Sequence, residues 1–255
     1  MRVVGIQHDI VWEDAAATRA LLRPKLAQAA AIGARLVVLP EMFATGFSMN
    51  SVGIAELEGG PTEQFLLDAA RAENLWIVGS IAQYKSGNER VGKARNVAVL
   101  VGPAGQVHRY DKLHPFTITD EHVQYEGGDK HVTVDVEGLR VSLFVCYDLR
   151  FADEFWAVAH DTDLYVVVAN WPAARREHWR TLLAARAIEN QAYVVGVNRV
   201  GTVAHLNYLG DSVIIDPMGR RLSEAAYGEA LIDAEVDPAE VARVRSKLPF
   251  LQDRR

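Results

Sequence analysis

The chain has 255 residues, 49% hydrophobic and 24% charged, a composition that excludes a disordered or fibrous protein and leaves ample length for a substantial core. A formal net charge of -6 supplies no electrostatic footprint for nucleic acid, and the short basic pair Arg175-Arg176 does not change that. No run approaches the ~18 apolar residues of a membrane span, the first strand-length apolar run meets Asp9 before a signal-peptide core can form, and a single cysteine with no second to pair with points to a reducing cytoplasm.

Runs rich in Val, Ile and Leu alternate with helical patterns, the order expected of a mostly β-α-β chain. Residues 3–8 predict a strand and 14–31 a helix, capped by Asp14 and stopped by Gly33. A strand at 36–39 runs into a loop marked by Gly46, Gly53, Gly59 and Gly60, and Pro61 suits the first turn of a helix over 61–73. Strands follow at 75–83, 96–101 and 106–110. The second half repeats the order, with a hairpin over 131–145, a helix at 152–160, a strand at 163–169, a helix at 176–191 and a strand at 193–198. Strands at 212–216 and 230–236 and a helix at 238–247 close the chain.

Two local echoes support a duplicated layout: Val101-Gly-Pro-Ala-Gly105 against Ile215-Asp-Pro-Met-Gly219, and Ile6-Gln-His-Asp9 against Val145-Cys-Tyr-Asp148. The strands are continuous apolar runs, so both faces of each sheet must be covered, which predicts a layered sandwich rather than an open sheet. No linker or low-complexity segment divides 1–255, so one domain is expected. The stretch from Gly87 to Lys93 imitates a phosphate loop, but Ala94 stands where a magnesium-binding hydroxyl is needed and a strand follows where a helix is required; it reads as a hairpin connection.

In α/β sheets, chemistry collects outside the carboxyl ends of the strands. Glu41, Lys112, Cys146 and the pair Asn170-Trp171 all sit at such exits. A lone cysteine is most simply a small buried hydrophobe, but this one ends the apolar run SLFV. A thiol is largely protonated at neutral pH, so a nucleophilic Cys146 needs a base or a cation beside it. Glu41 is a candidate base: Leu39, Pro40, Met42 and Phe43 flank it and would desolvate its carboxylate. Lys112 is the candidate cation. His8, His114, His122 and His178 keep a Cys-His pairing open. A metal centre is poorly supported, with no second cysteine and no His-Glu-x-x-His. Asn170, Trp171, Phe116 and Tyr147 are candidates for the wall of a substrate pocket, against plainer readings as a strand cap and core aromatics.

The segments LPEMFATGF with Glu41, YDKLHPF with Lys112 and VCYDLRF with Cys146 resemble, in that chain order, the nitrilase superfamily of carbon-nitrogen hydrolases. The resemblance spans almost the whole chain. DEH at 120–122, NWPAARREHW from Asn170 and ARAIENQAYVVGVNRVG from Ala185 bring it nearest to the ω-amidase branch acting on 2-oxoglutaramate. It implies an α-β-β-α sandwich with internal pseudo-symmetry, assembled into homodimers. It also implies a Glu-Lys-Cys triad that hydrolyses a small primary amide through a thioester, with Glu121 as a second glutamate holding the lysine. Thiol, carboxylate and amine supply nucleophile, acid-base and electrophile, so no cofactor is expected.

Two departures stand out. Related ω-amidases often carry Phe-Arg-Met where this chain has Phe116-Thr117-Ile118, so if that arginine binds an acidic substrate, either another group does so here, with Arg150, Arg175, Arg176 and Arg199 as candidates, or the substrate differs. The usual Phe-Pro after Leu-Arg is Phe151-Ala152, a change expected to touch only a helix start. Nitrile or N-carbamoyl hydrolysis, acyl transfer from the thioester, and a non-catalytic binding module that keeps the fold are the alternatives.

Overall fold

The structure, a computed structural model, describes residues 1–85 and 92–254. The segment read above as a hairpin connection therefore lies outside the described residues between Gly87 and Val91. The first half contains β1 (Arg2–Gln7), α1 (Ala15–Ala31), β2 (Leu36–Val38), α2 (Ser51–Ile54), β3 (Glu56–Leu57), α3 (Pro61–Glu73), β4 (Trp76–Tyr84), β5 (Arg95–Val101), β6 (Val107–Asp111) and α4 (Glu121–Gln124). The second half contains β7 (Thr133–Val136), β8 (Leu139–Val145), α5 (Ala152–Ala157), β9 (Leu164–Ala169), α6 (Arg176–Asn190), β10 (Tyr193–Asn198), β11 (Val200–Val203), β12 (Leu206–Ile215), β13 (Arg221–Ala226), β14 (Ala230–Glu235) and α7 (Pro238–Lys247).

Local chemistry explains several boundaries. The Asp14 carboxylate accepts the Ala17 N–H at 2.9 Å and caps α1, while Gly33 takes the positive φ of 86° that ends it. Pro61 opens α3, and Asn74 closes it in the left-handed conformation. Phe151 precedes α5 without a side-chain cap, and the helix begins at Ala152 all the same.

Two seven-stranded sheets form, in the orders β14-β1-β2-β4-β5-β6 and β11-β12-β10-β9-β8-β7, with β3 paired to β4 and β13 to β12. Each has a parallel centre, β1-β2-β4 or β8-β9-β10, flanked by antiparallel strands. The echo in sequence is also an echo in space: the Gly-Pro-Ala-Gly turn joins β5 to β6, and the Asp-Pro-Met-Gly turn joins β12 to β13. Alternation sorts the first sheet's residues to its two faces. Val3, Val38, Val78 and Leu100 share a core with β8, β9 and β10, whereas Val4, Val37, Ile77 and Val99 pack with Leu22 and Leu26 of α1 and Leu66 of α3. On the far side of the second sheet, Trp179 and Leu183 of α6 complete the fourth layer, giving the α-β-β-α sandwich.

Several elements depart from expectation, three of them strands. β12 begins at Leu206 rather than 212, and β11 and β13 were not foreseen. All three are partly exposed, so polar residues interrupt the apolar signal that marks a central strand. The helix expected over 152–160 ends at Ala157 and continues as a separate 3₁₀ turn, Ala159–Asp161. Among the described residues no helix is long and apolar enough to cross a membrane.

Candidate active site

Four strands deliver side chains to one place. Glu41 follows β2, Lys112 follows β6, Cys146 follows β8 and Asn170 follows β9. Three of these strands belong to the parallel centres, whose carboxyl ends point the same way within each sheet. Stacking the two sheets brings their exits together.

Lys112 lies between two carboxylates. Its Nζ donates to Glu41 Oε1 at 3.0 Å and to Glu121 Oε2 and Oε1 at 2.8 and 3.1 Å. Glu41 and Glu121 have no exposed surface and Lys112 is 1% exposed. Burial alone would lower the lysine's pKa, but the charges of Glu121 and then Glu41 outweigh it and hold the ammonium above its usual value. Glu41 is not a bare desolvated carboxylate: Oε1 also accepts the Asn96 amide at 2.8 Å, and Oε2 the Asn170 N–H at 2.8 Å. Asn96 also donates to Glu121 Oε1 at 3.1 Å and accepts from the Ser80 hydroxyl at 2.8 Å. Ser80 in turn accepts the Met42 N–H at 2.7 Å, which pins the backbone beside Glu41.

The Cys146 thiol is buried within electrostatic reach of Glu41, Lys112 and Glu121. Burial, then the Glu41 charge, pushes the thiol pKa well above its ordinary value, and Lys112 pulls it back only in part. At neutral pH the sulfur therefore carries its proton. The backbone at Cys146 is left-handed, with φ 47°, which is uncommon for a residue with a Cβ. Asp148, two residues on, is fully buried and accepts the Val145 N–H at 3.0 Å, the His114 N–H at 2.9 Å and the Tyr110 hydroxyl at 2.8 Å.

Cys146 borders a cavity of about 330 Å³, in the size range of small-ligand sites. Phe116, Tyr147, Asn170 and Trp171, the four expected wall residues, all line it. Asn170 is more than wall, because its backbone and side-chain amides both donate to Glu41. Trp171 is held by N–H bonds to Asn198 Oδ1 at 2.7 Å and to the Arg175 carbonyl at 2.8 Å. The structure also sorts the four arginines. Arg150 and Arg175 line the cavity, stacked 4.7 Å over Trp171 and 5.3 Å over Phe116, and neither pairs with a carboxylate among the described residues. Arg176 is committed to Asp211 at 2.8 and 2.7 Å, and Arg199 is buried against Asp9 at 2.6 Å, so neither is available to a substrate.

The competing histidines lie elsewhere. His8 is buried with its Nδ1 against the Asp9 carbonyl, His114 bonds Glu154 at 2.8 Å, His122 is exposed, and His178 faces Arg150 at 3.2 Å. Among the described residues no group of three or more His, Cys, Asp or Glu side chains is arranged to hold a metal ion. Sequence reasoning missed Asn96, Ser80 and Asp148. Ser80 and Asn96 did carry a signal, since each is a polar residue embedded in an apolar strand run, where burial demands a partner. Phe47, His205, Leu206 and Tyr208 also line the cavity, the last three from the β11–β12 hairpin that was not foreseen.

A family model described as carbon-nitrogen hydrolase matches residues 2–246, and the chain belongs to that family. It is 41% identical to the omega-amidase YafV of Escherichia coli over 258 residues, covering 99% of this chain and 96% of the relative. It is 34% identical to the 2-oxoglutaramate amidase of Bacillus subtilis, covering 86% and 85%. Among solved structures, XC1258 from Xanthomonas campestris, a CN-hydrolase superfamily protein with an arsenic adduct in its active site, superposes with a TM-score of 0.93 at 34% identity, covering 100% of this chain and 97% of that one.

Proposed function

We propose that the protein is an ω-amidase-type hydrolase that cleaves the primary amide of a short dicarboxylate monoamide, 2-oxoglutaramate first, to acid and ammonia. The observation that carries this reading is that Cys146 and Asn170 line one cavity, with Asn170 bonded to Glu41 and Glu41 bonded to an ammonium clamped between two carboxylates. Glu41 takes the thiol proton as sulfur bonds the amide carbon. Lys112 and the Tyr147 N–H hold the resulting oxyanion, a donor of this kind contributing roughly 3 kcal/mol in the transition state. The intermediate collapses with cleavage of the C–N bond, Glu41 returns its proton to the departing ammonia, and a thioester remains on Cys146. Water deprotonated by Glu41 then attacks the thioester, releasing the acid and restoring the thiol. Glu121 keeps Lys112 aimed and charged throughout.

The cavity supports an acidic substrate, because Arg150 and Arg175 bring to it two cations that pair with no carboxylate among the described residues. Ile118 lines the same cavity, so these two cations can serve in place of the arginine that related ω-amidases often carry in that segment. The names carried by the relatives in Escherichia coli and Bacillus subtilis favour the same substrate class over nitriles or N-carbamoyl compounds. We further propose that residues 1–255 act as one domain in the cytoplasm and pair as a homodimer, for which exposed Trp156, Ile188 and Phe250 offer apolar surface. Incubation with 2-oxoglutaramate, a short nitrile and an N-carbamoyl amino acid, with ammonia measured, tests the substrate. Ammonia is expected from the first; its absence there would refute the assignment.

A further inference from the structure

Asp148 does not line the cavity, and the proposed chemistry does not use it. Yet its carboxylate is fully buried with both oxygens occupied. Its donors come from two strand exits. Val145 is the last residue of β8, directly before Cys146, while Tyr110 and His114 lie two positions either side of Lys112. One carboxylate thereby ties the exit carrying the thiol to the exit carrying the ammonium. Burial raises its pKa to about 6, so at neutral pH it is an anion that accepts all three bonds. Cys146 has need of such a tie, since a left-handed non-glycine residue persists only where its surroundings over-determine it.

We propose that Asp148 is a positioning residue for the nucleophile: it holds the left-handed turn at Cys146 in register with Lys112, so that sulfur reaches the substrate carbon beside the ammonium. The proposal rests on Cys146 being the nucleophile. A carboxylate that served only to cap the turn would contribute to stability and leave the thiol's reactivity unchanged.

Asp148→Asn keeps the volume but turns one acceptor into a donor facing only donors. Tyr110→Phe removes one donor and leaves no new group unpaired. For each variant the measurements are kcat and KM with 2-oxoglutaramate, the second-order rate of Cys146 alkylation by iodoacetamide, and the melting temperature. In Asp148→Asn both kcat and the alkylation rate are expected to fall about tenfold or more with KM within about threefold, as small misplacements of reacting groups do. Tyr110→Phe is expected to show the same pattern at about threefold while remaining folded. Folded variants with kcat and alkylation within about twofold of wild type would overturn the proposal. If Asp148→Asn does not fold, Tyr110→Phe decides alone on the same criterion. A wild-type protein that releases no ammonia from 2-oxoglutaramate, but whose alkylation slows in both variants, would refute the substrate assignment and leave the positioning role intact.

Discussion

Lys112 is the residue on which the site's energetics turn. Two buried carboxylates within hydrogen-bonding distance of one ammonium are tolerable only while that charge is present. Lys112→Met should therefore lower kcat by roughly 10²–10³ through loss of the oxyanion donor and destabilise the fold by about 3–5 kcal/mol, because Glu41 and Glu121 are left facing each other without compensation. Steady-state kinetics and urea unfolding read the two effects; a variant as stable as wild type would contradict the ion cluster. Arg175 acts on substrate choice instead. Arg175→Met is expected to raise KM for 2-oxoglutaramate about tenfold or more, the weight of one charge-assisted contact, with a much smaller rise for a neutral short amide. Equal effects on both amides would remove Arg175 from carboxylate recognition. At this scale the proposed triad of Glu41, Lys112 and Cys146 was legible because strand exits and the three ordered segments mark it. Which arginines were free was not, since that depends on Asp9 and Asp211, which lie 190 and 35 positions from Arg199 and Arg176 in sequence.

Elements carry the site by being packed from behind. Gly79 of β4 lies under the segment bearing Glu41: a Cβ there would come within 2.7 Å of Phe43 Cδ1 and 2.9 Å of Leu39 Cβ. Gly196 of β10 is equally tight, its Cβ meeting Leu183 at 2.5 and 2.8 Å, but it faces α6 on the other side of the second sheet. Alanine at either position is expected to cost about 1–3 kcal/mol by overpacking. Only Gly79→Ala should also lower kcat by more than the unfolded fraction accounts for, because it displaces Glu41. Thermal melts with kcat on the folded protein separate the two, and equal activity losses would refute the idea. The long buried elements were readable because both faces are covered and the apolar signal is uninterrupted. β11, β13 and the outer half of β12 were not, because partial exposure lets polar residues into the pattern.

Across the whole molecule, the two halves use equivalent strand exits for different ends. At the end of β8 stands Cys146, the proposed nucleophile. At the end of β1 stands Gln7, which bridges the sheets by accepting the Ser212 N–H at 3.0 Å and donating to the Gly228 carbonyl at 2.7 Å. Next to it His8 is buried, and burial lowers its pKa from 6.5 to about 4. The unfolded chain thus binds a proton at His8 that the folded chain refuses, so this residue's contribution is present above pH 6.5 and is lost as pH falls toward 4, by about 3 kcal/mol in all. Asp148, raised from 3.8 to about 6, works in the opposite sense across pH 6 to 3.8. Unfolding free energy followed from pH 7 to 4 should fall less in His8→Asn than in wild type, and parallel curves would refute the assignment. Apolar periodicity and turn residues by themselves determined a layered sandwich, the duplicated order and the candidates Glu41, Lys112 and Cys146, and the ordered segments that carry the family resemblance added Glu121, because those signals are local or strung along the chain. Only the tertiary structure decided that Asn96, Ser80 and Asp148 lock them together, which arginines reach the cavity, and which hairpin walls it. Burial and hydrogen-bond pairing are properties of the packed sheets, and no single segment contains them.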